Sequence, residues 1–283
     1  MPETQQHHYP LERRAGEIER LHAQGDALIA DTSIMLDRIG VAAGWRCLDL
    51  GCGPRGVTDL LSVRVGPTGR VVGLDSDAVF LEHAREYSNS RGFANIEFVT
   101  GDVFHTELPA RTFDLVHTRF VASTVGNAER LLDECMRLTR PGGCVAFQEA
   151  DMSTLNCYPS HPACERLKRA FSEVFPHIAG KPSSVHGLYR MLRQAGLENV
   201  QYRPFLVGFH SSDPMADYLP ATMESVRWTL IERHLIAPGE LDATITECRA
   251  HLADAGTVST YHTVVQVWGT SRHQGEIARA GAP

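Results

Sequence analysis

A doubly wound, mostly parallel α/β sheet is the fold class this chain predicts, and three observations carry it. Cys47-Leu48-Asp49-Leu50 reads as a buried strand running directly into a glycine loop, Gly51-Cys52-Gly53-Pro54-Arg55-Gly56. Val71-Val72-Gly73-Leu74-Asp75 is a second apolar strand that ends on an acid, and Phe98-Val99-Thr100-Gly101-Asp102-Val103 is a third that ends on another. Short apolar strands alternating with helix-length segments pair in parallel and bring their carboxyl ends to one rim, where ligands bind.

The elements follow in order. Leu11 to Leu21 and Ala27 to Ile39 have apolar residues at helical spacing, with Asp26 placed to cap the second helix. The loop after the first strand opens a helix from Pro54 to Leu61, where proline suits the first turn. Glycines at 51 and 53 leave the loop backbone bare, and the free amides of the following helix favour a polar or anionic group. A fourth strand, Phe113 to His117, precedes a helix from Ala128 to Leu138 with Leu131, Leu132, Cys135 and Leu138 on one face, then a fifth strand, Cys144 to Phe147. Helices at Ala163 to Val174 and Ser184 to Gln194 lead to a strand at Asn199 to Phe209. Further helices at Pro214 to Leu235 and Gly239 to Ala253 precede a last strand, Ser259 to Gly269.

Spacing alone leaves two ligands open. Gly51-x-Gly53-x-x-Gly56 followed by Asp75 fits a nicotinamide dinucleotide as well as another nucleoside cofactor. Asp49, a charge where a dinucleotide fold takes an apolar side chain, and Asp102, an acceptor for an adenine edge, favour S-adenosylmethionine.

With the Pro-Gly-Gly turn at residues 141–143, these segments resemble the class I S-adenosylmethionine-dependent methyltransferases, in particular the small-molecule branch related to quinone biosynthesis; the resemblance spans roughly residues 17 to 150. It implies a Rossmann-like sheet of seven strands with the last one antiparallel and inserted before its predecessor. It also implies that Gly51, Cys52 and Gly53 lie under the methionine part of the cofactor, that Asp75 grips the ribose hydroxyls and that Gly101 and Asp102 with Val103 meet the adenine; Asp49 and Ser76 are further cofactor candidates, and Arg119 one that orients the cofactor or an anionic substrate. Arg55 stands where many members have a third loop glycine, a departure that bears on how the methionine carboxylate is held. No Asn-Pro-Pro-Tyr or Asp-Pro-Pro-Tyr follows the fourth strand, which counts against amino-methylation of adenine or glutamine.

The expected organisation is an N-terminal helical cap over residues 1–40, a core at 41–210 and 258–271, a helical lid at 211–257 and a flexible tail at 272–283. The insertion between the last two strands far exceeds what a hairpin needs. As a lid it brings Tyr218, Met223 and Trp228 to the acceptor, alongside Tyr9 from the cap and Tyr158 and His186 from the preceding segment; as a dimerisation element it would build a homodimer. Glu149, directly after the fifth strand, is the first candidate for a base, with His117 second and Asp151, His186 and His210 behind them.

Composition sets outer limits. Of 283 residues, 43% are hydrophobic and 22% charged, enough for a sizeable core. The polar start and the lack of an apolar run near about 18 residues predict a cytoplasmic protein without a membrane partner. A net charge of −7 argues against nucleic acid. Seven cysteines without a Cys-x-x-Cys pair predict reduced thiols, and no metal is expected, since Cys157, His161 and Cys164 make only three ligands in a segment interrupted by Pro159 and Pro162. A methyl acceptor of bulky, partly apolar character in specialised metabolism is the function expected. A relative that keeps the cofactor without transferring methyl, such as a cyclase, would carry the same motifs.

Overall fold

A computed structural model describes residues 16–179 and 185–272. Two helices, α1 (Glu17–Ala27) and α2 (Ile29–Ile39), precede the alternation β1 (Arg46–Leu50), α3 (Thr58–Val65), β2 (Arg70–Asp75), α4 (Ala78–Ser90), β3 (Ile96–Thr100), β4 (Phe113–Arg119), the short α5 (Ala122–Val125), α6 (Ala128–Leu138) and β5 (Thr139–Asp151). The second half holds β6 (Asn156–Tyr158), α7 (Pro162–Ala179), α8 (Leu188–Gln194), β7 (Glu198–Phe205), β8 (Gly208–His210), α9 (Tyr218–Ser225), α10 (Arg227–Glu232), α11 (Pro238–Leu252), β9 (Val258–Thr260) and β10 (Thr263–Thr270).

Seven strands form one sheet in the order β3-β2-β1-β4-β5-β10-β7. The pairs from β3 to β5 are parallel, and β10 runs antiparallel to both β5 and β7. The expected inserted last strand is therefore present. Strand order reverses between β1 and β4, which opens a crevice above their carboxyl ends.

Leu48 and Leu50 of β1 and Leu115 and Val116 of β4 are fully buried, as parallel strands covered on both faces require. The apolar face of α6 packs down as its spacing predicts, with Leu131, Leu132, Cys135 and Leu138 buried. A second apolar cluster joins α7 to α9, α10 and α11 through Leu167, Phe171, Met223, Leu230, Leu241 and Ile245. Beside it lies a three-stranded sheet, β6-β9-β8. Among the described residues no helix is long and apolar enough to cross a membrane.

Several boundaries differ from expectation, each for a tertiary reason. The helix after the glycine loop starts at Thr58 rather than Pro54, because Asp49 draws the Val57 amide down to itself at 2.8 Å and holds 51–57 as a loop. Helix α1 runs on to Ala27, and its Asp26 pairs with Arg55 at 2.7 Å instead of capping α2, whose N-cap is Leu28. The predicted helix 214–235 breaks at Val226 into α9 and α10. The predicted last strand is two: β9 joins the small sheet, and Tyr261 and His262 turn inward before β10 enters the large one. Residues 1–15 and the predicted tail from 273 lie outside the described residues.

Candidate functional site

The glycine loop is shaped first by Asp49. This carboxylate is 1% exposed; Oδ1 lies 2.8 Å from His117 Nδ1, and Oδ2 accepts the Val57 amide. It crowds Gly56, where a Cβ would lie 2.0 Å from Asp49 Oδ2 and 2.8 Å from the Cys52 carbonyl. The glycine at 56 thus answers an internal approach, not a ligand. Gly56→Ala is expected to lower stability by about 1–3 kcal/mol through overpacking, read as a shift in the urea midpoint at constant slope. Gly51 has φ +75° and its Cβ would meet Val121 Cγ2 at 2.3 Å. Over Gly53 the situation reverses: a Cβ there would meet nothing within 4 Å, so the loop backbone faces open space.

Asp75 closes β2 opposite that opening. Its Oδ2 accepts the Gly53 amide at 2.8 Å and its Oδ1 accepts the Asp77 amide at 2.9 Å, which binds the second strand to the glycine loop. Burial raises its pKa, and the two amides work against that rise. Ser76 beside it is exposed, and Asp77 caps α4 through the amides of Val79 and Phe80. Beyond β3, Gly101 donates its amide to the Asp75 carbonyl; Asp102 is exposed with Oδ1 on the Phe104 amide, and Val103 is buried. Cys52 is buried under the loop, and burial pushes its thiol well up.

Arg119 ends β4 on the other side of the loop. Its Nη2 donates to the Arg55 carbonyl at 2.9 Å, and no carboxylate among the described residues forms an ion pair with it. Burial lowers its pKa, and the nearby charges of Asp49 and Asp59 work against that fall without pairing with it directly. Arg55 itself is engaged by Asp26 and lies over the Tyr87 ring, 4.6 Å from its centroid.

The two candidates for a base serve the fold instead. Glu149 is fully buried and accepts the amides of Ala122, 2.9 Å, and Ser123, 3.2 Å, fixing the turn that follows β4. Burial pushes its pKa up to about 7, offset in part by those hydrogen bonds. His117 is likewise fully buried, committed through Nδ1 to Asp49. Because the folded pKa of Glu149 lies above its unfolded value, the folded state binds the extra proton. Stability from this group is complete below about pH 4.5 and is lost as pH rises towards about 7. Urea unfolding across that interval is expected to show stability falling with pH, with the slope reduced in Glu149→Gln.

The expected acceptor residues separate. Tyr218 lines a pocket between α7, α9 and the small sheet, with Phe209, Met215, Leu219 and Leu252 as apolar walls. Met223 is fully buried among the helices, while Tyr158 and Trp228 are 53% and 66% exposed, so these three do not join it. His186 stands at the rim, its Nε2 2.8 Å from Asp151 Oδ2 and its Nδ1 3.1 Å from the Tyr202 hydroxyl. Burial works against the Asp151 charge, but hydrogen bonds from Ser153 and His186 outweigh it and hold the carboxyl below its usual range. His210 ends β8, exposed, with Nδ1 2.9 Å from the Ser212 hydroxyl, and Tyr9 is outside the described residues.

Two aromatic residues were not foreseen. Phe120 follows Arg119 with φ +59°, a conformation that is costly for a large side chain, and its ring centroid lies 6.5 Å from that of Tyr261 on the pocket wall. Phe120 lies just past the end of β4, and Tyr261, inside the expected last strand, lies between β9 and β10, so periodicity carried no sign of either role. Among the described residues no group of three or more His, Cys, Asp or Glu is placed to hold a metal ion; Cys164 and Cys248 lie with sulfurs 2.9 Å apart as free thiols.

The open backbone above Gly53, the acid at the end of β2 and the half-buried Arg119 cation suit an amino acid joined to a nucleoside, as in S-adenosylmethionine. Comparison with known proteins agrees. A family described as "Methyltransferase domain" matches residues 48–147. A demethylmenaquinone methyltransferase from Anoxybacillus flavithermus is 30% identical over 185 residues, covering 61% of this chain and 78% of that protein. Two solved structures share the fold: a methyltransferase from Bacillus halodurans at TM-score 0.56 and 18% identity, over 86% of this chain and 99% of that one, and the [4+2]-cyclase SpnF at 0.53 and 17%, over 94% and 88%. With the strand order, the glycine loop and 30% identity to a relative matched over 78% of its length, the chain belongs to the class I S-adenosylmethionine-dependent methyltransferases, related to the demethylmenaquinone methyltransferases.

Proposed function

We propose that this enzyme, which transfers the methyl group of S-adenosylmethionine to a small organic molecule, acts on a bulky, largely apolar acceptor of specialised metabolism in the pocket beside Tyr218. The observation that carries the reading is the position of that pocket: its wall residue Tyr261 reaches Phe120, the residue after Arg119, so acceptor and cofactor meet at one rim.

In this reading Gly51, Cys52 and Gly53 floor the methionine part, Arg119 meets its carboxylate, Asp75 with Ser76 takes the ribose hydroxyls, and Gly101, Asp102 and Val103 take the adenine. Asp49 holds the loop in shape from below. The cofactor brings a methyl group already activated on a sulfonium, so the chain has to align the acceptor, exclude water and accept a proton where the acceptor carries one. The Asp151–His186 pair at the rim offers that proton a destination. Helices α9 to α11 act as the lid over the acceptor, and the same surface would serve a homodimer. A net charge of −7 supports a small-molecule acceptor over nucleic acid, and free buried thiols support a cytoplasmic setting.

The test is incubation with methyl-labelled S-adenosylmethionine and a metabolite extract of the host, followed by mass spectrometry. A labelled product of apolar character is the expected result. Label confined to small polar metabolites would remove the acceptor assignment, and no label at all would favour a relative that keeps the cofactor without transferring methyl.

A further inference from the structure

We infer that α1 is a hinged flap over the seam between the glycine loop and the acceptor pocket, and that it lifts to admit the amino-acid end of S-adenosylmethionine. This rests on the proposed meeting of Arg119 with the cofactor's carboxylate and goes beyond it by naming the element that moves.

The two N-terminal helices are held in different ways. α2 is built into the body: Met35 and Leu36 are fully buried in one apolar cluster with Val57, Leu61 and Trp268. Thr32 Oγ1 donates to Gln148 at 3.1 Å, and the Asp31 carbonyl accepts from Gln266 at 3.0 Å. What α1 buries is instead polar or bare, namely Glu17, Gln24 and Gly25, while Ile18, Leu21, Ala23 and Ala27 are only half-buried. With less apolar surface to return to water, α1 detaches at lower cost than α2.

Side-chain contacts tie α1 to three separate parts of the body. Glu17 accepts the Ser225 hydroxyl of α9 at 2.9 Å, Gln24 Nε2 donates to Tyr261 Oη at 2.9 Å, and Asp26 pairs with Arg55 of the glycine loop at 2.7 Å. Water can replace each of these once the helix lifts, so none costs more than a modest net amount to break. Within α1, Arg20 joins Glu17 and Gln24 at 2.7 and 3.1 Å, and its guanidinium carbon lies 5.9 Å from the Tyr218 ring centroid.

A pivot separates the helices. Leu28 is the one residue between them; its side chain is buried in the cluster that joins α7 to α9, α10 and α11, and its backbone interrupts the helical run at φ −101° and ψ −3°. Element ends of this kind absorb hinge rotation. Gly25 lies just before the pivot, where a Cβ would sit 3.2 Å from Arg55 Cγ and 3.8 Å from Arg119 Nη2. Glycine weakens the helix there and lets its last turn close down on both arginines. The room a carboxylate needs at Arg119 is thus bounded by that turn, and entry and release require the turn to move.

Hydrogen exchange followed by mass spectrometry tests this on the full chain, with S-adenosylhomocysteine as the probe and calorimetry to establish saturation. In the free protein the amides of α1 are expected to exchange at least about 10-fold faster than those of α2, and saturating S-adenosylhomocysteine to slow them about 10-fold. Ser225→Ala, which removes one tie from outside the helix, is expected to speed α1 exchange in the free protein about 3- to 10-fold and to leave α2 unchanged. Equal rates in α1 and α2, no slowing of α1 by bound S-adenosylhomocysteine, or no effect of Ser225→Ala would overturn the inference. Calorimetry on Arg119→Gln separates it from the cofactor assignment. Unchanged affinity with α1 still slowed removes the Arg119 contact and keeps the flap; weakened affinity, with no slowing of α1 in wild type, keeps the contact and removes the flap.

Discussion

Asp49→Ala is expected to lower the unfolding free energy by about 3–5 kcal/mol, the cost of breaking a buried charged contact while leaving its partners in place. Two groups lose their acceptor together, the Val57 amide and His117 Nδ1, each 2.8 Å from the carboxylate and sealed from water. Among the described residues His117 Nε2 has no hydrogen-bond partner, so the ring has no second one to fall back on. Because the same carboxylate holds residues 51–57 as a loop, cofactor affinity should fall with stability. Asp49→Asn keeps an oxygen for one of the two and should lose less. Urea unfolding followed by circular dichroism reads the first effect; a loss below about 1 kcal/mol would show that the loop is held by its glycines and not by the pair.

Asp75→Ala is expected to weaken S-adenosylhomocysteine by about 1–3 kcal/mol, roughly 5- to 150-fold in Kd. The physical source is distinct from Asp49. Asp75 faces the opening above Gly53, so its loss removes an acceptor for the ligand's hydroxyls as well as the tie to the Gly53 amide. Calorimetry at neutral pH reads it, and an unchanged Kd would displace the ribose site from the end of β2. Asp102→Ala should cost less, because that side chain is exposed and water can replace it. Comparing the two variants separates a buried contact from a solvated one within a single ligand.

Both predictions start from residues legible in the chain, but what each does was not equally legible. Asp75 and the glycines at 51 and 53 stand out because strand, loop and terminal acid occur in an order that few folds use, and the structure brings them within hydrogen-bonding distance. Glu149 and His117 also sat at strand ends, and the same logic made them bases. Strand ends place backbone, however, and each side chain points to one face or the other of the sheet; these two point inward, onto the turn after β4 and onto Asp49. Gly56 looked like part of a ligand cradle and turned out to make room for a carboxylate.

The second half shows the opposite balance. Its helices were readable from spacing, yet Met223 packs in a core and Trp228 faces outward, since apolar type alone does not say which side of a helix meets a pocket. Tyr261 was hidden within an apparent strand from Ser259 to Gly269, and only the break between β9 and β10 turns it inward. The sequence by itself determined the sheet, the cofactor loop and the acids that flank it, because those depend on local backbone needs and on alternation over neighbouring residues. Tertiary structure alone decided which acids face the cleft and which residues wall the pocket beside Tyr218. Those roles arise from contacts between segments far apart in the chain, such as Gln24 with Tyr261, that no local pattern encodes.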